Sequence, residues 1–267
     1  MTYTYLLILA LIQGITEFLP ISSSGHLILA SQLSGQPDQG LAIDVAVHVG
    51  TLLAVILYFW QDCKSVLTGL PRLLTGRIDT PGSRLAFLLV IATIPVIIAG
   101  LILKLTGLSD MMRSTAVIGW SMLGFGLVLY WADQTSAADK VETDWSLRDA
   151  ITMGLWQALA LIPGTSRSGI TITGALKLGY ARHDAAKLSM LMSIPTIIAS
   201  GTLLGLDLAS SANAQLARDG AIAAAMAFVS ALAALAIMMR LLRSVSFTPY
   251  VIYRVIFGAL LLYIAYS

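Results

Sequence analysis

The side chains best suited to chemistry in this sequence are polar groups set between apolar stretches. Gln13 and Glu17 lie four residues apart, so a helix would place both on one face. Pro20 and the serine turn Ser22–Ser24 follow, and His26 comes two residues after the turn. A carboxylate and an imidazole are costly at membrane depth, so a chain that places them there is expected to use them.

A second segment in the other half of the chain has the same plan. An apolar run ends at Pro163, Ser166, Arg167 and Ser168 form a hydroxyl-rich turn, and Thr171 follows. The planar guanidinium of an arginine matches phosphate oxygens, and hydroxyls and backbone N–H groups at a helix N-terminus bind anions. If the two segments meet, their pocket suits a phosphorylated ligand.

This inventory suggests a role for each group. Glu17 is a candidate ligand for a divalent cation, because such cations prefer oxygen ligands. Ser23 is a candidate nucleophile if His26 takes its proton, and a water activated by His26 is the alternative. Arg167 is expected to grip the phosphate. The remaining candidate contacts to the ligand are Gln13, Ser22, Ser24, Ser166, Ser168 and Thr171.

Two further ionisable residues have open roles. His48 follows Asp44 by four residues on one helical face, where it either supports the site or is purely structural. Arg254 lies in the last apolar stretch, where it either pairs with a pocket carboxylate or extends its charged end to the membrane surface.

Composition places the chain in the membrane. Hydrophobic residues make up 57% of it and charged residues only 11%, against roughly 25% in soluble domains. The net charge of +2 does not suggest a nucleic-acid partner, and the single Cys63 has no internal partner for a disulfide.

Hydropathy predicts an all-α integral membrane protein. A membrane-crossing helix needs about 20 apolar residues. Two regions contain only short apolar pieces broken by a proline and a serine-rich turn, 5–33 and 147–178, and we expect them to form re-entrant helix–turn–helix hairpins. Six longer stretches are predicted to cross the membrane: Val45–Gln61, Leu85–Leu103, Ser114–Ala132, Leu188–Leu206, Gly220–Met239 and Thr248–Ser267.

The order of these elements predicts one membrane domain, 1–267, built from two inverted repeats at about 1–132 and 145–267. Three crossings per half reverse the orientation of the second half. If the basic loop 63–84 is cytoplasmic, eleven Lys and Arg residues fall on that side and three on the other, as the positive-inside rule requires. Both termini and the mouth of the first hairpin then face outward.

The motifs also carry a family resemblance over essentially the whole chain. The segment from Gln13 to Glu17 with its serine turn looks like an (E/Q)xxxE motif, and Pro163–Thr171 looks like PGxSRSxxT. The stretch Ser246–Arg254 is similar to the family's C-terminal helix. On these grounds the chain resembles the bacterial undecaprenyl-pyrophosphate phosphatases of the bacitracin-resistance type.

The resemblance implies hydrolysis of undecaprenyl pyrophosphate to undecaprenyl phosphate, the lipid carrier of cell-wall synthesis. It implies an inner-membrane enzyme open to the outer face, a need for Mg²⁺ or Ca²⁺, and a homodimer. It assigns catalysis to Glu17, Ser23, His26 and Arg167, with Glu17 linked to the metal. Position 13 is glutamine where many members have glutamate.

Two rival functions are weighed against this one. Inverted repeats with broken helices are also a transporter plan, so a polyprenyl-phosphate flippase is the alternative. A phosphatase of the PAP2 type is disfavoured, because Thr173 occupies the position of its histidine.

Overall fold

The computed structural model describes residues 3–34, 40–108, 112, 114–208 and 214–267, and these residues form helices joined by turns and short irregular segments, with no named β-strand. Short 3₁₀ turns occur at Glu142–Asp144 and Leu159–Leu161. The helices, in chain order, are α1 Tyr3–Thr16, α2 Ser23–Ser34, α3 Leu41–Tyr58, α4 Trp60–Leu74, α5 Pro81–Thr106, α6 Thr115–Thr135, α7 Leu147–Ala158, α8 Arg167–Lys177, α9 Arg182–Leu208, α10 Ala214–Leu241 and α11 Thr248–Tyr266.

Five of these helices are long and apolar enough to cross a membrane, and a sixth span results if the bent pair of α3 and α4 is counted as one. The five lie in Pro81–Thr106, Thr115–Thr135, Arg182–Leu203, Gln215–Leu241 and Thr248–Tyr266. Large apolar side chains such as Val229, Ile256 and Tyr263 are exposed on their outer faces. A multi-pass membrane protein is therefore supported by length and composition.

One sequence prediction about this region is wrong. The predicted loop 63–84 contains most of helix α4, and the predicted crossing that ends at Gln61 breaks at Phe59, where the chain bends by 92°. Gly69 of α4 packs directly on the backbone of Gly82 and Ser83, at the start of α5. Helix α4 therefore lies against the beginning of the next span instead of being an open loop.

Local sequence signals explain where the other helices begin and end. Thr80 caps α5 by accepting a hydrogen bond from the backbone N–H of Ser83 at 3.2 Å, and Pro81 occupies the first turn. The helix ends at Gly107, whose φ of 70° is left-handed. Ser146 caps α7 in the same way as Thr80 caps α5.

The two short helices α1 and α7 are held by equivalent packing. Helix α1 packs on α10, and a Cβ added to Gly14 would lie 2.7 Å from the carbonyl oxygen of Ala227. Helix α7 packs on α5, and a Cβ added to Gly154 would lie 2.6 Å from the carbonyl oxygen of Ala92. Close backbone approach through glycine thus brings the ends of both short helices into the protein interior.

Candidate active site

The turn after α1 and the turn before α8 meet inside the protein. The Ser168 hydroxyl donates to the carbonyl oxygen of Leu19 at 3.0 Å, and the backbone N–H of Gly164 donates to the Ser24 hydroxyl at 3.4 Å. The expected meeting of the two polar segments is confirmed by these contacts.

The two turns also have matching backbones. Ser22 and Ser166 each have a φ of 71°, in the left-handed region that residues with a Cβ rarely adopt. In each turn the Oγ of that serine lies 3.1 Å from the Oγ of the serine two residues later, Ser24 or Ser168. Strained backbone of this kind persists only where the surrounding structure holds it, and it concentrates at functional sites.

Arg254 of α11 holds both turns together. Its guanidinium donates to the carbonyl oxygens of Pro20 at 3.2 Å, Gly164 at 3.2 Å and Thr165 at 2.9 Å, and its Nε donates to Met122 at 3.1 Å. The side chain is fully buried. Both roles considered from the sequence are therefore wrong: Arg254 neither pairs with a carboxylate nor reaches the membrane surface, because backbone carbonyls satisfy it internally.

Glu17 lies at the centre of the site. Its Oε1 accepts a hydrogen bond from Arg167 Nη2 at 3.0 Å, across the boundary between the two halves. Its Oε2 accepts from Gln13 Nε2 at 2.9 Å and from the Ser23 hydroxyl at 3.2 Å. The ionised side chains of Glu17 and Arg167 are both largely buried. A buried charge is costly unless it is paired, and these two side chains pair with each other.

His26 is adjacent to this cluster in sequence but makes its hydrogen bonds elsewhere. Its Nδ1 lies 2.7 Å from the carbonyl oxygen of Ser22, so this nitrogen carries the proton. Its Nε2 therefore accepts from the Tyr253 hydroxyl at 2.5 Å. The imidazole also stacks on Phe257, with ring centres 4.4 Å apart. In this arrangement the hydroxyl of Ser23 points to Glu17, not to His26.

The predicted phosphate contacts of the second turn are engaged within the protein. Ser166, Ser168 and Thr171 are buried, and the Thr171 hydroxyl lies 2.5 Å from that of Ser189. The backbone carbonyl of Ser189 also accepts from Arg167 Nη1 at 3.2 Å. These hydroxyls shape the turn that aims Arg167.

Sequence reasoning missed Ser189, Tyr253 and Phe257 as neighbours of the site. Ser189 occurs within an apolar helical run, which gives no sign that it contacts a turn about 20 residues earlier. Tyr253 precedes Arg254 and carried the only available signal, a polar aromatic residue inside a candidate span.

His48 approaches the centre from α3. Its Nδ1 lies 2.7 Å from the carbonyl oxygen of Asp44, and its Nε2 lies 3.9 Å from Oε2 of Glu17. The exposed fraction of the His48 side chain is 38%, against 9% for Glu17. His48 therefore faces the carboxylate from the open side of the cluster.

Among the described residues, no group of three His, Cys, Asp or Glu side chains is arranged to hold a metal ion. The donors beside Glu17 are of mixed type. In the part of the chain that the structure describes, the buried amide oxygen of Gln13 has no hydrogen-bond partner. His48 adds a ring nitrogen 3.9 Å from Glu17. Gln13 turns its amide nitrogen, not this oxygen, to Glu17. The Glu17 carboxylate is itself an oxygen ligand of the kind that divalent cations prefer, and oxygens of a bound ligand would complete the coordination.

These features define a class: a helical, multi-pass membrane protein with a buried guanidinium–carboxylate pair between two broken helices. The model of the family described as bacitracin resistance protein BacA matches residues 6–260. A protein of Jannaschia sp. named undecaprenyl-diphosphatase is 71% identical over 262 residues, covering 98% of each chain. Proteins of the same name are 69% identical in Ruegeria pomeroyi, over the full length of both chains, and 47% identical in Hahella chejuensis, over 98% of each. This chain belongs to the BacA family.

Proposed function

We propose that this protein is an undecaprenyl-diphosphatase. It hydrolyses undecaprenyl pyrophosphate to undecaprenyl phosphate and inorganic phosphate, and so returns the lipid carrier to the synthesis of peptidoglycan and other cell-wall polymers. Family membership and the names of relatives at 65–71% identity over nearly the whole chain support this activity. The apolar outer surface of the helices suits a substrate whose tail remains in lipid.

The observation that carries the proposal is the pair of Glu17 and Arg167, 3.0 Å apart, with Ser23 on the same carboxylate. Arg167 is the group that would bind the pyrophosphate, because its planar fork matches two phosphate oxygens. When Arg167 turns to the phosphate, Oε1 of Glu17 loses its donor. Binding of the pyrophosphate by Arg167 therefore frees Oε1 of Glu17 from its hydrogen bond.

Ser23 is the proposed nucleophile. Its hydroxyl already donates to Glu17, so the carboxylate is placed to receive the proton as Oγ attacks the terminal phosphorus. The bond between that phosphorus and the bridging oxygen breaks, and undecaprenyl phosphate leaves. Water then cleaves the phosphoserine and releases inorganic phosphate. Direct attack by a water molecule held in the same place would release both products without this intermediate.

His26 is proposed as the second acid–base group. Its proton exchange runs to Tyr253 in this arrangement, because its other ring nitrogen is bound to a backbone carbonyl. The hydroxyls of Ser22, Ser24, Ser166, Ser168 and Thr171 serve the phosphate indirectly, by holding the turns in shape.

A divalent cation, Mg²⁺ or Ca²⁺, is proposed as the cofactor, held through Glu17, whose carboxylate also accepts a hydrogen bond from the amide nitrogen of Gln13. When bound, such an ion neutralises charge on the pyrophosphate. Glutamine at position 13 adds no charge to the site.

We further propose six crossings and two re-entrant hairpins, α1–α2 and α7–α8. At 14 residues α1 spans about 21 Å, short of the roughly 30 Å hydrocarbon layer. The same offset of 144 residues relates Gln13 to Gln157 and Ser22 to Ser166, which supports inverted repeats at about 1–132 and 145–267. The inner membrane, an outward-facing site and a homodimer complete the proposal.

The test is phosphate release from undecaprenyl pyrophosphate by purified protein in detergent, with added Mg²⁺ or Ca²⁺ and an EDTA control. Glu17→Gln and Arg167→Gln should each lower the rate at least about 100-fold, because each removes charge stabilisation at the phosphate. The matched controls are Asp139→Asn and Arg148→Gln, which alter exposed residues on other parts of the chain. Both should release phosphate at the unmodified rate.

Unmodified rates in Glu17→Gln or Arg167→Gln would remove the site assignment. An unmodified protein that releases no phosphate in detergent, yet moves polyprenyl phosphate between the leaflets of a vesicle, would replace the phosphatase with the flippase.

A further inference from the structure

A cavity lies apart from the candidate active site. It has a volume of about 590 Å³ and is bordered by α4, the start of α5, the 3₁₀ turn Glu142–Asp144 and α9. Its lining residues lie outside the two serine turns and outside the helices α1 and α8 that provide Glu17 and Arg167. This volume is in the range of small-molecule binding sites.

Helix α4, at the border of this cavity, has the character of a helix at a membrane surface. Trp60, Leu67 and Leu74 are exposed, and their spacing of seven residues places them on one face of the helix. Lys64 and Arg72 add positive charge to the same helix. An amphipathic helix of this kind lies in the headgroup layer of a membrane. We therefore expect the cavity at the level of lipid headgroups.

The buried part of the cavity lining is apolar and contains one indole group. Leu88, Leu188 and Leu191 are buried there. Trp145 also lines the cavity and is only 2% exposed, and its indole N–H donates to no other group among the described residues. Since a buried indole N–H usually finds an acceptor, a ligand in this cavity would provide both hydrocarbon and a hydrogen-bond acceptor.

One part of the lining has an excess of negative charge. Asp62 and Glu142 both pair with the single ammonium group of Lys187, at 3.0 and 2.6 Å. Two carboxylates on one ammonium leave one negative charge in excess. A third acidic residue of the lining, Asp79, adds nothing to this excess, because Arg72 donates two hydrogen bonds to it at 2.8 and 2.7 Å.

Another part of the lining has an excess of positive charge. The exposed Arg84 donates from Nη2 to the backbone carbonyl oxygen of Trp145 at 3.0 Å, and no described carboxylate forms an ion pair with it. A guanidinium beside an indole N–H forms a pair of donors suited to phosphate oxygens. The cavity therefore presents separate positive and negative groups around an apolar interior.

We propose that this cavity binds one zwitterionic phospholipid with a primary amine, of the phosphatidylethanolamine class. Its phosphate pairs with Arg84 and accepts a hydrogen bond from the indole of Trp145. Its ammonium group lies at Asp62 and Glu142, and its acyl chains start along the buried leucines. The inference is independent of the proposed function, because the cavity shares no residue with the candidate active site.

Three lipids with the same dioleoyl chains test the charge pattern. The full-length protein in detergent, stripped of lipid, is titrated with phosphatidylethanolamine, phosphatidylcholine and phosphatidylglycerol, and native mass spectrometry gives the stoichiometry and the affinities. One phosphatidylethanolamine per chain should bind at least about tenfold more tightly than either other lipid. Phosphatidylcholine has no N–H to donate to the carboxylates, and phosphatidylglycerol has no positive charge.

The chain-free headgroup tests whether the occupant is a lipid. Glycerophosphoethanolamine has the same phosphate and amine but buries no hydrocarbon, so it should bind at least about 100-fold more weakly than the lipid. Equal affinities would overturn the lipid assignment.

Substitutions test the two charged parts of the lining. Arg84→Gln should weaken phosphatidylethanolamine binding about tenfold. Its control is Arg77→Gln, at an exposed arginine between α4 and α5 that does not line the cavity. Asp62→Asn removes the excess negative charge and should abolish the preference over phosphatidylglycerol, whereas the exposed control Asp139→Asn should keep it.

Trp145→Phe tests the indole N–H separately, because it keeps an aromatic ring and the backbone carbonyl that Arg84 binds. It should weaken phosphatidylethanolamine binding about threefold or more. Thermal unfolding without lipid confirms that each variant is folded. Added phosphatidylethanolamine should raise the unfolding temperature of the unmodified protein more than that of Arg84→Gln.

Equal binding of the three lipids would overturn the proposal, since lipid that merely surrounds the helices does not distinguish headgroups. Unchanged phosphatidylethanolamine affinity in Arg84→Gln and Asp62→Asn would overturn it as well.

Discussion

Glu17 makes contact with three separate parts of the chain through one carboxylate. Gln13 comes from the preceding helix α1, Ser23 from the start of α2 and Arg167 from the other half of the protein. The sequence predicted this convergence because a carboxylate and a guanidinium inside apolar surroundings each need a partner. It did not predict the partners of His26, because Tyr253 is 227 residues away and no local pattern signals such a contact.

The contact between His26 and Tyr253 gives a prediction at the scale of one hydroxyl. Tyr253→Phe keeps the aromatic stack with Phe257 but leaves Nε2 of His26 without its donor. We expect kcat to fall about tenfold, which corresponds to the roughly 1.4 kcal/mol of one hydrogen bond, with KM little changed. Steady-state phosphate release measures both constants.

Tyr250→Phe is the control for that substitution, since it removes a hydroxyl from the same helix, one turn earlier. It should leave kcat unchanged. If Tyr253→Phe also kept the full kcat, the tyrosine hydroxyl would have no part in the reaction, and His26 would need another proton partner.

At the scale of elements, the sequence located the broken helices but not α4. Pro20, Pro163 and the serine turns are local signals, and the helices end close to where these signals predict. Helix α4 was taken for a loop because its basic residues, including Lys64 and Arg72, suggested an exposed connection. Its helical structure depends on packing against α5, which the sequence does not show.

The second turn gives a prediction about backbone conformation. Gly164 has a φ of 89°, and a Cβ there would lie 2.5 Å from the carbonyl oxygen of Ile118. Gly164→Ala should therefore lower the unfolding temperature and abolish phosphate release, because the shifted turn also moves a carbonyl that Arg254 binds. Thermal unfolding in detergent and the phosphate assay measure the two effects.

Gly179→Ala is a matched control, because Gly179 has a φ of 92° but nothing within 4 Å of an added Cβ. The substitution should lower the free energy of unfolding only by the cost of a left-handed backbone for alanine, about 1–2 kcal/mol. The variant should stay active. Equal losses of stability in the two variants would show that the close approach to Ile118 is unimportant.

At the scale of the whole molecule, the charge distribution predicts the orientation in the membrane. From the positive-inside rule we expect the loop around Asp139 in the cytoplasm and Ser267 outside. Because Cys63 is the only cysteine, Cys63→Ser gives a background for labelling. A membrane-impermeant maleimide applied to intact spheroplasts should label Ser267→Cys and spare Asp139→Cys. The reverse pattern would invert the topology and turn the proposed site toward the cytoplasm.

The binding of both turns by Arg254 has a consequence for biosynthesis. A ribosome makes the two turns first and α11 only afterwards, so newly made chains already inserted in the membrane still lack the residue that joins their reactive segments. Nascent or truncated polypeptides that stop before this arginine are therefore expected to be inert toward lipid pyrophosphates. Catalytic competence is therefore expected only after α11 has been made and has docked against both turns.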